Sequence, residues 1–252
     1  MTVLLPAIAP VALIVFIGFL AGRTLSLERT TLSRLSLYVL LPALIASSLY
    51  GMTLSVRQAS AIVAGFFLSS AILAGLVYGL CRLLKVEPLT QKTLLATSLF
   101  ANTGNLGLPF ISFALGATGL ERAIVYLISS SILLTTVGPT LLKGAGLWVG
   151  LRTTLRLPVF GAMLAGLTLQ ALNVTLPLRL DAGLELLGGA AIPVALVTLG
   201  LQLAKTNLYV DRAVLAAAAL RLGVAPAIAL TVGAMLGLQG QDLQVLVLQA
   251  AM

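Results

Sequence analysis

The sequence predicts an all-α integral membrane protein, and three observations carry that reading. Sixty per cent of its 252 residues are hydrophobic and 9% are charged, against roughly 25% charged in a soluble domain. Apolar segments of about 20 residues, the length of a bilayer-crossing helix, recur along the chain. No ten-residue stretches alternate apolar and polar in the manner of an outer-membrane barrel. The same composition narrows the partners. The net charge is +8, but no basic cluster is interleaved with aromatics, so no nucleic acid is expected. Lipid is the expected surroundings. A single cysteine, Cys81, excludes an intrachain disulfide. Nothing positive precedes the first apolar run, so it does not read as a secretory signal.

Spans follow in order. Span one covers about Leu4–Ala21, span two about Leu32–Tyr50 with Pro42 inside it, and span three about Ala59–Leu80. Span four covers Gln91–Leu115 and span five about Ala123–Leu142. A basic loop, Lys143–Arg156, follows. Span six is about Leu157–Leu172, span seven about Leu184–Leu203 with Pro193, and span eight about Ala213–Leu236. A ninth begins near Asp242 and meets the end of the sequence at Met252. Eleven of the fifteen Lys and Arg fall after odd-numbered spans, three fall after even-numbered ones, and Arg221 lies within span eight. Basic residues accumulate in cytoplasmic loops, so the N-terminus is expected outside.

The halves are alike. Leu5-Pro6 matches Leu157-Pro158 at an offset of 152, and Leu41-Pro42 matches Ile192-Pro193 at an offset of 151. Five spans per half is an odd number, so the second half must enter from the opposite side. Residues 1–142 are therefore read as a first five-span repeat and 143–156 as a cytoplasmic linker. Residues 157–252 are then a second, inverted repeat that is incomplete. Inverted repeats with discontinuous helices at the midplane mark secondary transporters. Carrying the offset to Asn102 reaches position 253, so the second break and a tenth span are expected beyond Met252.

Span four carries the chemistry. Its centre, LFANTGNLGLPF, places Asn102, Thr103, Gly104, Asn105, Gly107 and Pro109 within eight positions. Glycine and proline there predict that the helix stops, runs extended and restarts. Lipid cannot satisfy the freed backbone groups, so such a break lines a protein-enclosed cavity. The restarted helix offers N–H groups and a positive dipole end to a carboxylate. Asn102 and Asn105 add amides, and Gly104 and Gly107 admit close approach. Helix packing by small residues is the plainer alternative.

These residues resemble the auxin efflux carrier family, which includes plant pin-formed carriers and bacterial malonate-transporter-like relatives. The resemblance rests on NTGNLGLP at Asn102–Pro109. It is supported by YVLLPALI at Tyr38–Ile45, by GGAAIPVALVTLGLQL at Gly188–Leu203, and by Arg221-Leu222 with Pro226. It implies ten spans as two inverted five-helix repeats, the fold of bile acid symporters and sodium–proton antiporters. It further implies a scaffold of spans one, two, six and seven that forms a homodimer. Spans three to five and eight to ten would make a moving transport domain, with spans four and nine crossing at their breaks. The implied setting is the bacterial inner membrane, and the implied cargo is an auxin-like acid or a short dicarboxylate.

Arg221 lies about ten residues into span eight, roughly 15 Å deep at 1.5 Å per residue. It either draws an anionic cargo or caps the broken ends of spans four or nine. Gln249, near the expected second break, and Ser130, in the Ser129–Ser131 run of span five, complete the candidate substrate-binding set. Serines in such helices more often bond back to their own backbone. None of the seven acids lies mid-span, so the coupling ion, sodium or proton, stays open beside plain uniport. With no histidine, one cysteine and no buried carboxylate pair, no catalytic residues, metal site or cofactor are expected. The expected function is a secondary carrier of a small organic anion working by an elevator-type mechanism. A bile-acid-type sodium symporter, or a non-transporting receptor or pore, is the alternative.

Overall fold

The computed structural model of the protein describes residues 4–143, 147–207 and 210–252, and these are helical with no strand among them. Helix α1 covers Leu4–Thr24. Helix α2 (Arg29–Leu35) passes through a π turn, Ser36–Leu40, into α3 (Leu41–Tyr50). Then come α4 (Val56–Leu83), α5 (Pro88–Leu99), a π turn at Thr103–Gly107 and α6 (Leu108–Lys143). Helices α7 (Leu147–Leu155), α8 (Pro158–Ala171), α9 (Leu180–Gly189) and α10 (Ala191–Ala204) follow. Helix α11 (Arg212–Ala219) passes through a third π turn, Leu220–Val224, into α12 (Ala225–Met235), and α13 covers Gly240–Ala251.

Local chemistry sets many of these ends. Ser55 and Gln58 form a capping box at the start of α4, and Asp211 accepts a 2.8 Å bond from Val214 N at the start of α11. Lys85, Asn173 and Gly237 take positive φ just past α4, α8 and α12. The next residue then bonds back five positions, as in Val86 N to Cys81 O at 2.9 Å.

Six stretches of the described residues are long and apolar enough to cross a membrane, and α8 is a shorter apolar helix of 14 residues. One of the six, Pro88–Leu141, is 54 residues long and holds both spans four and five. They join without a loop. The turn between them is made at Gly116, whose φ of 69° and ψ of −161° suit glycine alone.

The chain divides into two compact units. The first comprises Met1–Thr53, Gly104–Ile124 and Leu155–Asn207. Within it α1 lies along α10, and α3 packs on α8 and α9. A methyl group on Gly18 would stand 2.5 Å from the Val197 carbonyl oxygen, so these backbones touch where side chains are missing. Glu121 accepts bonds from the Thr53 N–H and hydroxyl, both at 3.1 Å, and ties the end of span two to the start of span five.

The second unit comprises Leu54–Thr103, Val125–Thr154 and Leu208–Met252. Here α12 packs on α4 and α13, and α4 on α5. Phe66 meets Tyr126 edge to face at 4.8 Å. Gln58 Nε2 donates to the buried Asp242 at 3.2 Å, joining the starts of α4 and α13.

Part of the expected linker is helical. Residues 144–146 lie outside the described residues, but the next nine form α7 rather than a loop. A methyl group on Gly150 would stand 2.7 Å from Thr136 Cα, so α7 lies close against α6, and Thr154 and Thr135 share a hydroxyl contact. Arg152 and Arg156 stay exposed. The loop reading counted those charges and passed over the small residues between them.

Candidate functional site

The break in span four is present. Phe100 leaves helical geometry at φ −96° and ψ 89°, and the chain re-enters a helix only through the π turn Thr103–Gly107. All three π turns end two residues before a proline: Pro42, Pro109 and Pro226. A helical proline lacks its N–H and collides with the carbonyl four residues back, here those of Tyr38, Asn105 and Leu222. Widening the preceding turn by one residue moves that carbonyl aside. Pro10 and Pro139 sit inside α1 and α6 without a widened turn, so proline alone does not produce one. Pro193 does something different: the helix is interrupted at Ala190, between α9 and α10.

Residues of the motif are distributed unequally. Thr103 is 3% exposed, and Gly107 and Pro109 are buried. Asn102 and Asn105 are exposed. The division into units falls inside the motif, with Thr103 the last residue of its segment and Gly104 the first of the next. In the first unit, Gly104, Asn105 and Leu108 line a cavity of about 20 Å³ with Ser36, Leu41 and Ile192, beside the prolines of spans two and seven. In the second unit, the Asn102 N–H donates to the Met252 carbonyl at 3.3 Å, so the end of α13 reaches the break in span four.

Arg221 sits in the third π turn, within the second unit. Its Nη1 donates to the carbonyl of Ser98, one residue before the end of α5. That is the capping contact, a cation at the negative end of a half-helix. Its Nε and Nη2 are buried and have no partner. Arg221 lines a second cavity of about 20 Å³, together with Phe66, Ser69, Ser98, Tyr126 and Ala250. The hydroxyls of Ser69 and Ser98 are likewise buried without a partner.

Gln249, next to Ala250, is 0% exposed, and neither of its side-chain amide atoms finds a partner. Ser130 is buried and lines neither cavity. Its neighbours Ser129 and Ser131 bond back to Val125 O and Leu127 O at 3.0 and 2.8 Å, the self-satisfying habit of helical serines. Ser69, Ser98 and Tyr126 were not singled out from the sequence. The Ser69-Ser70 pair inside an apolar span was the one available signal. Ser98 acquires meaning only through a partner 123 residues away.

A family model described as Membrane transport protein matches residues 3–147 and 147–252. The chain belongs to that family. The resemblance drawn from the span-four motif and the proline-bearing spans is thereby borne out. An "Uncharacterized transporter" of Methanothermobacter thermautotrophicus is 29% identical over 232 residues, covering 89% of this chain and 76% of that protein. As a member of the membrane transport protein family, with apolar helices of spanning length, the protein is an integral membrane transporter. Its break in span four and its buried arginine are then features of a transporter's membrane-embedded helices.

Proposed function

We propose that this transporter is a secondary carrier of a small organic anion, held at the broken helix of span four. One observation carries the reading: α5 stops at Leu99 and helix resumes only at Thr103, in the middle of an apolar segment. Backbone groups freed at that depth need partners that lipid cannot supply. The N–H groups of the restarted turn and its positive dipole end suit a carboxylate. Asn102, Thr103 and Asn105 supply side-chain donors, Gly104 and Gly107 leave the backbone open, and Pro109 holds the restart in place. Gln249 brings a buried amide with both ends free for cargo.

An elevator-type movement of the second unit is part of the proposal. Spans one, two, six and seven collect in one unit, and spans three, eight, most of five and the start of nine in the other, which supports it. Span four is divided, with Gly104–Ile124 in the first unit, so the expected grouping of spans three to five is met only in part. The scaffold unit would form the homodimer contact. The distribution of basic loops supports an outside N-terminus, and the bacterial inner membrane is the setting the family resemblance implies. The coupling ion, a sodium held by carbonyls or a proton, stays open beside plain uniport, and Asp242 at the start of α13 is a buried acid.

Uptake of labelled malonate and indole-3-acetate into proteoliposomes tests the reading. Saturable flux that falls about tenfold or more in Asn102→Ala is expected, the effect of losing one hydrogen bond to a charged cargo. Flux unchanged in Asn102→Ala would remove the site from span four.

A further inference from the structure

We propose that the cavity beside Arg221 is a binding site for one compact monovalent anion, either a halide ion or the oxygen of a carboxylate. The proposal goes beyond the cargo reading, because this site lies within the second unit and can be occupied with no cargo present.

The guanidinium has two usable edges. One, through Nη1, is taken by the Ser98 carbonyl. The other, Nε with Nη2, is the side-on fork that grips carboxylates and other anions with two parallel N–H bonds. That fork is buried and empty-handed. An arginine at this depth normally meets a carboxylate or several carbonyls. No carboxylate lines this cavity. The nearest acids of the unit in sequence are committed elsewhere: Asp211 caps α11, and Asp242 receives Gln58. The Ser98 carbonyl at the negative end of α5 offsets part of the positive charge, and no carboxylate lining the cavity offsets the rest.

Around the fork the donors converge. Ser98 is 0% exposed and Ser69 is 8% exposed; both line the cavity, and both hydroxyls lack a partner. A hydroxyl can donate to an anion, and a carbonyl cannot. Besides the Ser98 backbone, already bound to Nη1, the polar residues lining this space are Arg221 and the hydroxyl-bearing Ser69, Ser70, Ser98 and Tyr126, each able to donate. Its volume of about 20 Å³ admits one or two water-sized bodies and excludes a whole dicarboxylate. Water alone would satisfy hydrogen bonds and leave the charge unbalanced. An anion does both. Phe66, Leu73, Leu99 and Ala225 close the remaining sides with apolar surface, which strengthens any charge interaction inside.

Thermal unfolding of the purified full chain tests this. Chloride or acetate is titrated at neutral pH against methanesulfonate at constant ionic strength. A ligand that binds the folded state raises Tm with saturation. The expected result is a saturable rise whose half-saturating concentration increases about tenfold in Arg221→Gln and in Ser98→Ala, as for loss of a hydrogen bond to a charged group. Arg221→Gln also removes the cap on α5 and can fail to fold. Ser98→Ala and Ser69→Ala keep that cap, since it is made to a backbone carbonyl. A response to chloride assigns the site to an inorganic ion, and a response to acetate alone assigns it to a carboxylate group. No saturable rise with either, or the same rise in the serine variants, overturns the proposal. Since neither arm needs flux, its failure is separable from failure of the cargo reading.

Discussion

Gln249 has no exposed surface, and both its amide nitrogen and its oxygen lack a partner. Leaving such groups buried and unmet costs about 1–3 kcal/mol each, while an apolar replacement of similar shape removes that penalty. Gln249→Met is therefore expected to raise the stability of the purified protein by about 1–3 kcal/mol, read as a higher midpoint in a denaturant titration. In proteoliposomes the same variant is expected to lose uptake. A gain in stability with undiminished uptake would make Gln249 a packing defect instead of a cargo contact. This residue was legible in the sequence because it lies near the expected second break. Ser98 was not, because a serine in a membrane helix is ordinary and its contact with Arg221 joins segments 123 residues apart.

At the scale of elements, proline and glycine decide most of what happens. The stop in span four was legible, since two asparagines, two glycines and a proline cannot all be accommodated in a regular helix. The π turns at Ser36–Leu40 and Leu220–Val224 were not, because Pro42 and Pro226 announce a distortion without its form. Proline alone does not choose between a kink, a widened turn and the tight turn at Ala190, whose own backbone stays helical at φ −74° and ψ −17°. The linker helix α7 was hidden by its charges. The close pairing of α1 with α10 makes a prediction of its own. Gly18→Val should clash with the Val197 backbone and lower stability by about 1–3 kcal/mol, the usual effect of overpacking. A midpoint in denaturant equal to that of the unaltered protein would contradict the helix pairing.

For the whole molecule, the membrane-crossing helices could be read from apolar length, while the likeness of the two halves rests on the prolines at offsets of 151 and 152. The grouping into two units could not, since each is assembled from three separate segments and no local signal says which segments associate. The distribution of basic loops predicts the orientation. With Cys81 replaced by serine, a membrane-impermeant maleimide should label Asn173→Cys in intact cells and Lys85→Cys only after permeabilisation. Labelling in the reverse order would place the N-terminus inside. The central claim, that the protein is a carrier that returns its site across the membrane, is tested most directly by counterflow. Proteoliposomes are preloaded with unlabelled malonate or indole-3-acetate and diluted into a trace of the labelled acid. The account predicts a transient accumulation of label above equilibrium that Asn102→Ala abolishes. Label that only equilibrates, with no overshoot at any preload, would contradict it and identify a pore.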